Sequence, residues 1–89
     1  MWRLDLDWPE DTIKHIERHG ISRKEIEKAL EGRLYRRRSG SRAVVIGIGF
    51  GRFLFVVIGP SKAKPGAGQV VTARPARKAE KALFGRRGK

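Results

Sequence analysis

RAVVIGIGFGRFLFVVIG, residues 42–59, holds two apolar runs, Ala43 to Phe50 and Phe53 to Ile58, separated only by Gly51 and Arg52. Two β-prone runs joined by so short a glycine-containing link predict an antiparallel hairpin. In the first run Val44, Ile46, Ile48 and Phe50 share one face, and Val45, Gly47 and Gly49 share the other. The second run is apolar at every position from Phe53 to Ile58, the pattern of a strand covered on both faces, which places it centrally in a sheet. Gly47 and Gly49 leave room above that sheet, either for a closely packed helix or for a ligand.

Working back towards the N-terminus, Arg33 to Arg38 sets Leu34 and Tyr35 among four arginines and predicts a strand, turned into the hairpin by Ser39, Gly40 and Ser41. Before it lie two short helical segments. Pro9, Glu10 and Asp11 supply a fixed φ and negative charge at a helix start, Ile13 and Ile16 begin an apolar stripe, and Gly20 provides a stop. Ser22 and Glu25 form an S-x-x-E capping box ahead of Ile26, Ala29 and Leu30, with Gly32 closing that helix. Trp2, Leu4, Leu6 and Trp8 alternate with charged residues, the period of a half-buried strand. Towards the C-terminus, Ser61 to Gly68 reads as a mobile polar loop and Gln69 to Arg74 as a strand with Val71 and Ala73 on one side. A last helix is expected from about Ala76 to Phe84, followed by a basic tail over 85–89.

Eighty-nine residues make one small domain, and any site on it is expected to be shallow. With no cysteine, disulfides and thiolate metal sites are excluded, which fits a reducing cytoplasm. No apolar run approaches a bilayer span, so a soluble protein that does not engage a membrane is expected. The net charge of +12 is unevenly placed. Residues 1–32 hold six Lys/Arg against eight Asp/Glu, whereas residues 33–89 hold fifteen Lys/Arg against the single acid Glu80. A field of that sign attracts a phosphate backbone, and an acidic protein partner would answer it too.

The cluster Arg33, Arg36, Arg37 and Arg38 with Tyr35 suits an RNA backbone with one base stacked on the ring; it equally suits an edge strand charged against sheet-to-sheet association. Arg52, Arg77 and Lys78 extend the same cationic set. His15 and His19 stand four apart, the spacing of a two-histidine metal pair, but no further ligand follows in the basic half, so neither metal nor cofactor is expected.

Two segments resemble the BrnT-type ribonuclease toxins. His19, Gly20 and Ile21 followed by Ser22 and a Glu-rich helix are similar to that family's K-H-G-V-S-x-E-E-A stretch. VTARPARKAEKALF, residues 71–84, is similar to its closing I-S-A-R-x-A-x-x-x-E-x-x-x-Y, with Phe84 where the family has Tyr. Arg42 heads a strand as an arginine does there, and Gly51 and Arg52 fit its G-R-x-L-x-V-V pattern, although the loop before Arg42 is Arg/Ser-rich instead of acidic. The resemblance implies a RelE-like α+β fold, metal-independent RNA cleavage, and a cognate acidic antitoxin of ribbon-helix-helix type. It also implies His19, Arg42, Arg74 and Glu80 as the catalytic set. In that set His19 would move protons, since an imidazole titrates near neutrality, and the arginines would clamp phosphate with a planar fork. Glu80 would orient an arginine or act as base; a plain ion pair fixing the last helix explains it as well. A helix C-terminus that stabilises its cation explains His19 without chemistry.

The expectation is therefore one α+β domain over residues 1–84 in the order β-α-α-β-β-β-β-α, working as a toxin-type endoribonuclease. The alternatives are a catalytically silent nucleic-acid-binding module and an interaction domain for an acidic partner.

Overall fold

The computed structural model describes residues 6–87. They form α1 (Glu10–Arg18), α2 (Arg23–Glu31), β1 (Tyr35–Ser39), β2 (Arg42–Gly49), β3 (Arg52–Pro60), β4 (Gly68–Pro75) and α3 (Lys78–Arg87). The strands make one antiparallel sheet in the order β1-β2-β3-β4, with β3 inside it as its unbroken apolar run requires. The α+β class, with two helices before the sheet and one after, is as the sequence indicates. Of the expected first strand, Asp7 forms a parallel bridge to Gln69, and Leu6 and Trp8 pack on the core; Trp2 and Leu4 lie outside the described residues.

The central hairpin closes one residue earlier than the sequence indicates. Gly49 pairs with Arg52, so the turn is Phe50–Gly51, both at positive φ (45° and 85°), which matches the twist of a two-residue hairpin. Arg52 thus belongs to β3 and shares the sheet face of Gly49.

That face is covered by α1 and α2. Ile16, Ile21, Ile26 and Leu30 interlock with Val45, Leu54, Val56 and Val70, each buried aliphatic side chain contributing about 1.5–3 kcal/mol. A Cβ on Gly47 would lie 2.9 Å from the Ala29 carbonyl, and one on Gly49 would collide with the carbonyl of Glu25. The glycines therefore admit a helix backbone, not a ligand.

Gly20 (φ 72°) ends α1 with the paired bonds Gly20 N–H to Glu17 O and Ile21 N–H to Ile16 O, both 3.0 Å. Ser22 caps α2 by accepting the Glu25 N–H at 3.2 Å, but the Glu25 carboxylate points to the sheet instead of completing the capping box.

In β4 the register shifts opposite Val57 and Ile58, so Val70 and Ala73 face the helix layer, not Val71 and Ala73. An extra residue in one strand reverses the alternation beyond it. The Thr12 hydroxyl of α1, buried, donates to the Val70 carbonyl at this irregularity (2.9 Å). The loop after β3 is closed on itself: Ser61 Oγ accepts from the N–H groups of Ala63 and Lys64 and donates to Asp7.

Candidate nucleic-acid interface

The other face of the sheet presents cross-strand rows set by the register. One row runs Tyr35, Ile46, Phe55, Arg74; the next runs Arg37, Val44, Val57, Thr72; beyond it Arg42 lies opposite Gly59. A Cβ on Gly59 would meet the Arg42 side chain at 3.4 Å and Val71 at 3.3 Å, so the missing side chain lets the arginine lie across β3. α3 covers only the first row and its neighbours: Phe84, buried, meets Phe53 edge-on at 5.3 Å, and the Arg33 guanidinium lies 4.7 Å from its centre on the ring face.

Arg74 and Glu80 are joined by two parallel hydrogen bonds, Nη1 to Oε1 at 2.8 Å and Nη2 to Oε2 at 2.7 Å, while the guanidinium stacks 4.1 Å above Phe55. Glu80 Oε1 also accepts the Arg77 N–H at 2.7 Å, which caps α3. That cap starts the helix at Lys78 instead of Ala76, because Ala76 N–H still bonds the Phe53 carbonyl and continues the sheet. The Arg74 hydrogen bonds hold the Glu80 carboxyl below its ordinary range, against the opposing effect of burial, with the Arg77 N–H adding to the shift. The same contact raises Arg74. Glu80 is therefore ionised at neutral pH.

At the end of the sheet holding the β1–β2 turn and the loop after β3, a groove of about 710 Å³ is lined by Arg36, Arg37, Arg38 and Arg42. Ala43, Ile58 and Gly59 also line it, and among the described residues no acid does. Gly40 (φ 64°) supplies the tight turn that sets Arg38 and Arg42 on either side of it.

The four residues expected to act together stand at three places. Arg74 and Glu80 are in contact; Arg42 shares their sheet face but lies at the groove end; His19 terminates α1, in the layer on the opposite face, its exposed ring 5.1 Å from that of His15. Arg33 and Tyr35 border α3, and Arg77 and Lys78 are exposed at its start. Arg52 is directed inward: Nε and Nη2 donate to the Glu25 carboxylate at 2.7 and 2.9 Å, and Nη2 donates to the Gly20 carbonyl at 2.6 Å. The contact raises Arg52 above its ordinary value and commits its fork to the fold. Glu25 is the residue that sequence reasoning misplaced, its spacing from Ser22 giving no sign of a partner across the sheet. Among the described residues no cluster of three or more His, Asp or Glu could hold a metal, and no helix is long and apolar enough to cross a membrane.

These features define a small α+β domain with one helix-covered face and one partly open, arginine-rested face. Comparison with protein-family models, with characterised proteins and with solved structures finds no match.

Proposed function

We propose that this domain binds RNA along the arginine-lined groove and the adjoining open rows of the sheet. The observation that carries the reading is the groove itself, whose described lining holds Arg36, Arg37, Arg38 and Arg42 and no acid; strand alternation brings Arg36 and Arg38 to it from the helix-covered face and Arg37 and Arg42 from the open one. Arginine forks suit phosphate oxygens, and apolar residues beside them suit bases. The test is a salt titration of RNA retention. Each phosphate contact removed should lower the slope by about 0.7 for a single strand, so Arg38→Gln and Arg42→Gln should each flatten it by about that amount. A flat salt dependence in the parent protein would favour an acidic protein partner instead.

A second reading, a toxin-type metal-independent endoribonuclease restrained in the cytoplasm by an acidic ribbon-helix-helix antitoxin, is favoured by one observation. Arg74 and Glu80, both at positions matching the BrnT-type motif, are bound to each other across β4 and α3. In that reading Glu80 takes the 2′-hydroxyl proton as the 2′-oxygen attacks phosphorus, and Arg74 carries charge on the phosphorane. The P–O5′ bond breaks with the leaving oxygen taking its proton from water, His19 being uninvolved. A carboxylate so stabilised is a weak base, so turnover is slow. RNA incubated in EDTA with the parent protein and with Arg74→Ala decides it: RNA left intact by the parent rejects cleavage.

A further inference from the structure

α3 has little of its own to hold it in place. Ten residues make a marginal helix in water, and Gly85 within it lowers helix propensity by about 1 kcal/mol. Its main anchors are Phe84 between Phe53 and Arg33 and Glu80 in the fork of Arg74, with Leu83 packed on the same cluster and Lys81 Nζ 6.0 Å from the centre of the Phe53 ring. Beneath it lie Tyr35, Phe53 and Phe55, three partly buried rings on neighbouring strands of one face, with Ile46 between them. Arg33, Arg37 and Arg74 border these rings, and the uncovered row Arg37, Val44, Val57, Thr72 leads from them to Arg42 at the groove.

Glu80 is the only acid after residue 31, and it fills the Arg74 fork with a planar, doubly accepting anion. A phosphate offers Arg74 the same geometry. We infer that α3 is a latch over a base-stacking platform formed by Tyr35, Phe53 and Phe55, and that single-stranded RNA opens it by displacing the Glu80 carboxylate from Arg74. The inference rests on the RNA-binding reading and adds a second, covered part to that surface. Closure lowers the apparent affinity by the fraction of molecules that are open, so weakening the latch tightens binding.

The test compares the parent protein with Glu80→Gln, and with Glu31→Gln as a control that removes an exposed acid from the helix layer. The probes are fluorescein-labelled oligouridylate and inorganic polyphosphate, which has charge but no bases. Glu80→Gln should bind oligouridylate roughly tenfold more tightly, the contribution of about one stacked base, and polyphosphate no more than about twofold more tightly. Glu31→Gln should gain no more than that smaller factor on either probe. In the parent, α3 amides should exchange faster with oligouridylate bound. Equal gains for the two variants, an equal gain on both probes, or α3 amides protected by RNA would each overturn the latch while leaving RNA binding intact. If neither the parent nor Glu80→Gln retains oligouridylate, the RNA-binding reading and the latch fall together.

Discussion

Arg52→Ala removes a side chain that ties the start of β3 to both helices, and its cost can be worked from the contacts. Glu25 is 4% exposed, and Arg52 supplies both hydrogen bonds to its carboxylate and a third to the Gly20 carbonyl. Stripping the partner from a fully buried carboxylate costs about 3–5 kcal/mol. Here the Arg52 side chain is 42% exposed, so water reaches the vacated side and the lower part of that range, about 2–3 kcal/mol, is expected. A chain of 89 residues has a total stability of about 4–13 kcal/mol. At about 4–8 °C per kcal/mol for this size, the midpoint should fall by about 10–20 °C. Thermal and urea unfolding followed by circular dichroism measure it, and a cycle with Glu25→Gln should give a coupling of about 1–3 kcal/mol. RNA retention by the folded Arg52→Ala protein should match the parent, because this guanidinium points away from the groove. A loss under about 0.5 kcal/mol, or strictly additive single changes, would show that the contact contributes nothing to the fold.

Gly49→Ala sets a Cβ against the Glu25 carbonyl, a backbone atom that cannot swing aside, and should lower stability by at least about 2 kcal/mol in urea unfolding. Phe50→Asn should raise it by about 1 kcal/mol, since Phe50 is 66% exposed at φ 45° and Asn-Gly is the preferred pair for such a turn. Glu80 has a folded-state pKa below its unfolded one, so its contribution is complete above the ordinary carboxylate range and disappears as pH falls through the depressed value. Protection of the α3 amides, corrected for intrinsic exchange and taken relative to the sheet, should be level from neutral pH down through the ordinary carboxylate range and fall only at more acidic pH; in Glu80→Gln it should lack that acid step.

Helix caps and sheet order were legible because they are local. Gly20 and Ser22 bracket the link between α1 and α2 as their residue types require, and an unbroken run such as Phe53 to Ile58 belongs in the middle of a sheet. The hairpin turn was not legible, since its true first residue is a phenylalanine at positive φ, a conformation the residue type argues against. Closing the turn there sets Gly49 against the Glu25 backbone and brings Arg52 to the Glu25 carboxylate, both of which depend on the helix that lands above. The shift in β4 was hidden because Val70 and Val71 are alike, and alternation cannot register an inserted residue between identical neighbours. Placing His19 with Arg74 failed for a different reason. Ala73 faces the helices, so its neighbour Arg74 must face away from the layer that α1 ends in.

The net charge overstates the part of the field that can meet a phosphate chain. Arg52 and Arg74 are each held in a two-bond contact with a carboxylate, and Arg23 pairs with Glu27, so these cations are already opposed within the fold. The groove gathers Arg36, Arg37, Arg38 and Arg42, and among the described residues no acid lines it. Counterion release depends on phosphates actually neutralised, not on total charge, so four contacts to single-stranded RNA correspond to a slope of about 3 in log K against log salt. Opening the latch would add Arg74 as a fifth contact and raise that slope by about 0.7 in Glu80→Gln. A slope near 10 in the parent would instead mean that the whole basic half engages the polymer diffusely, and the groove would lose its special place.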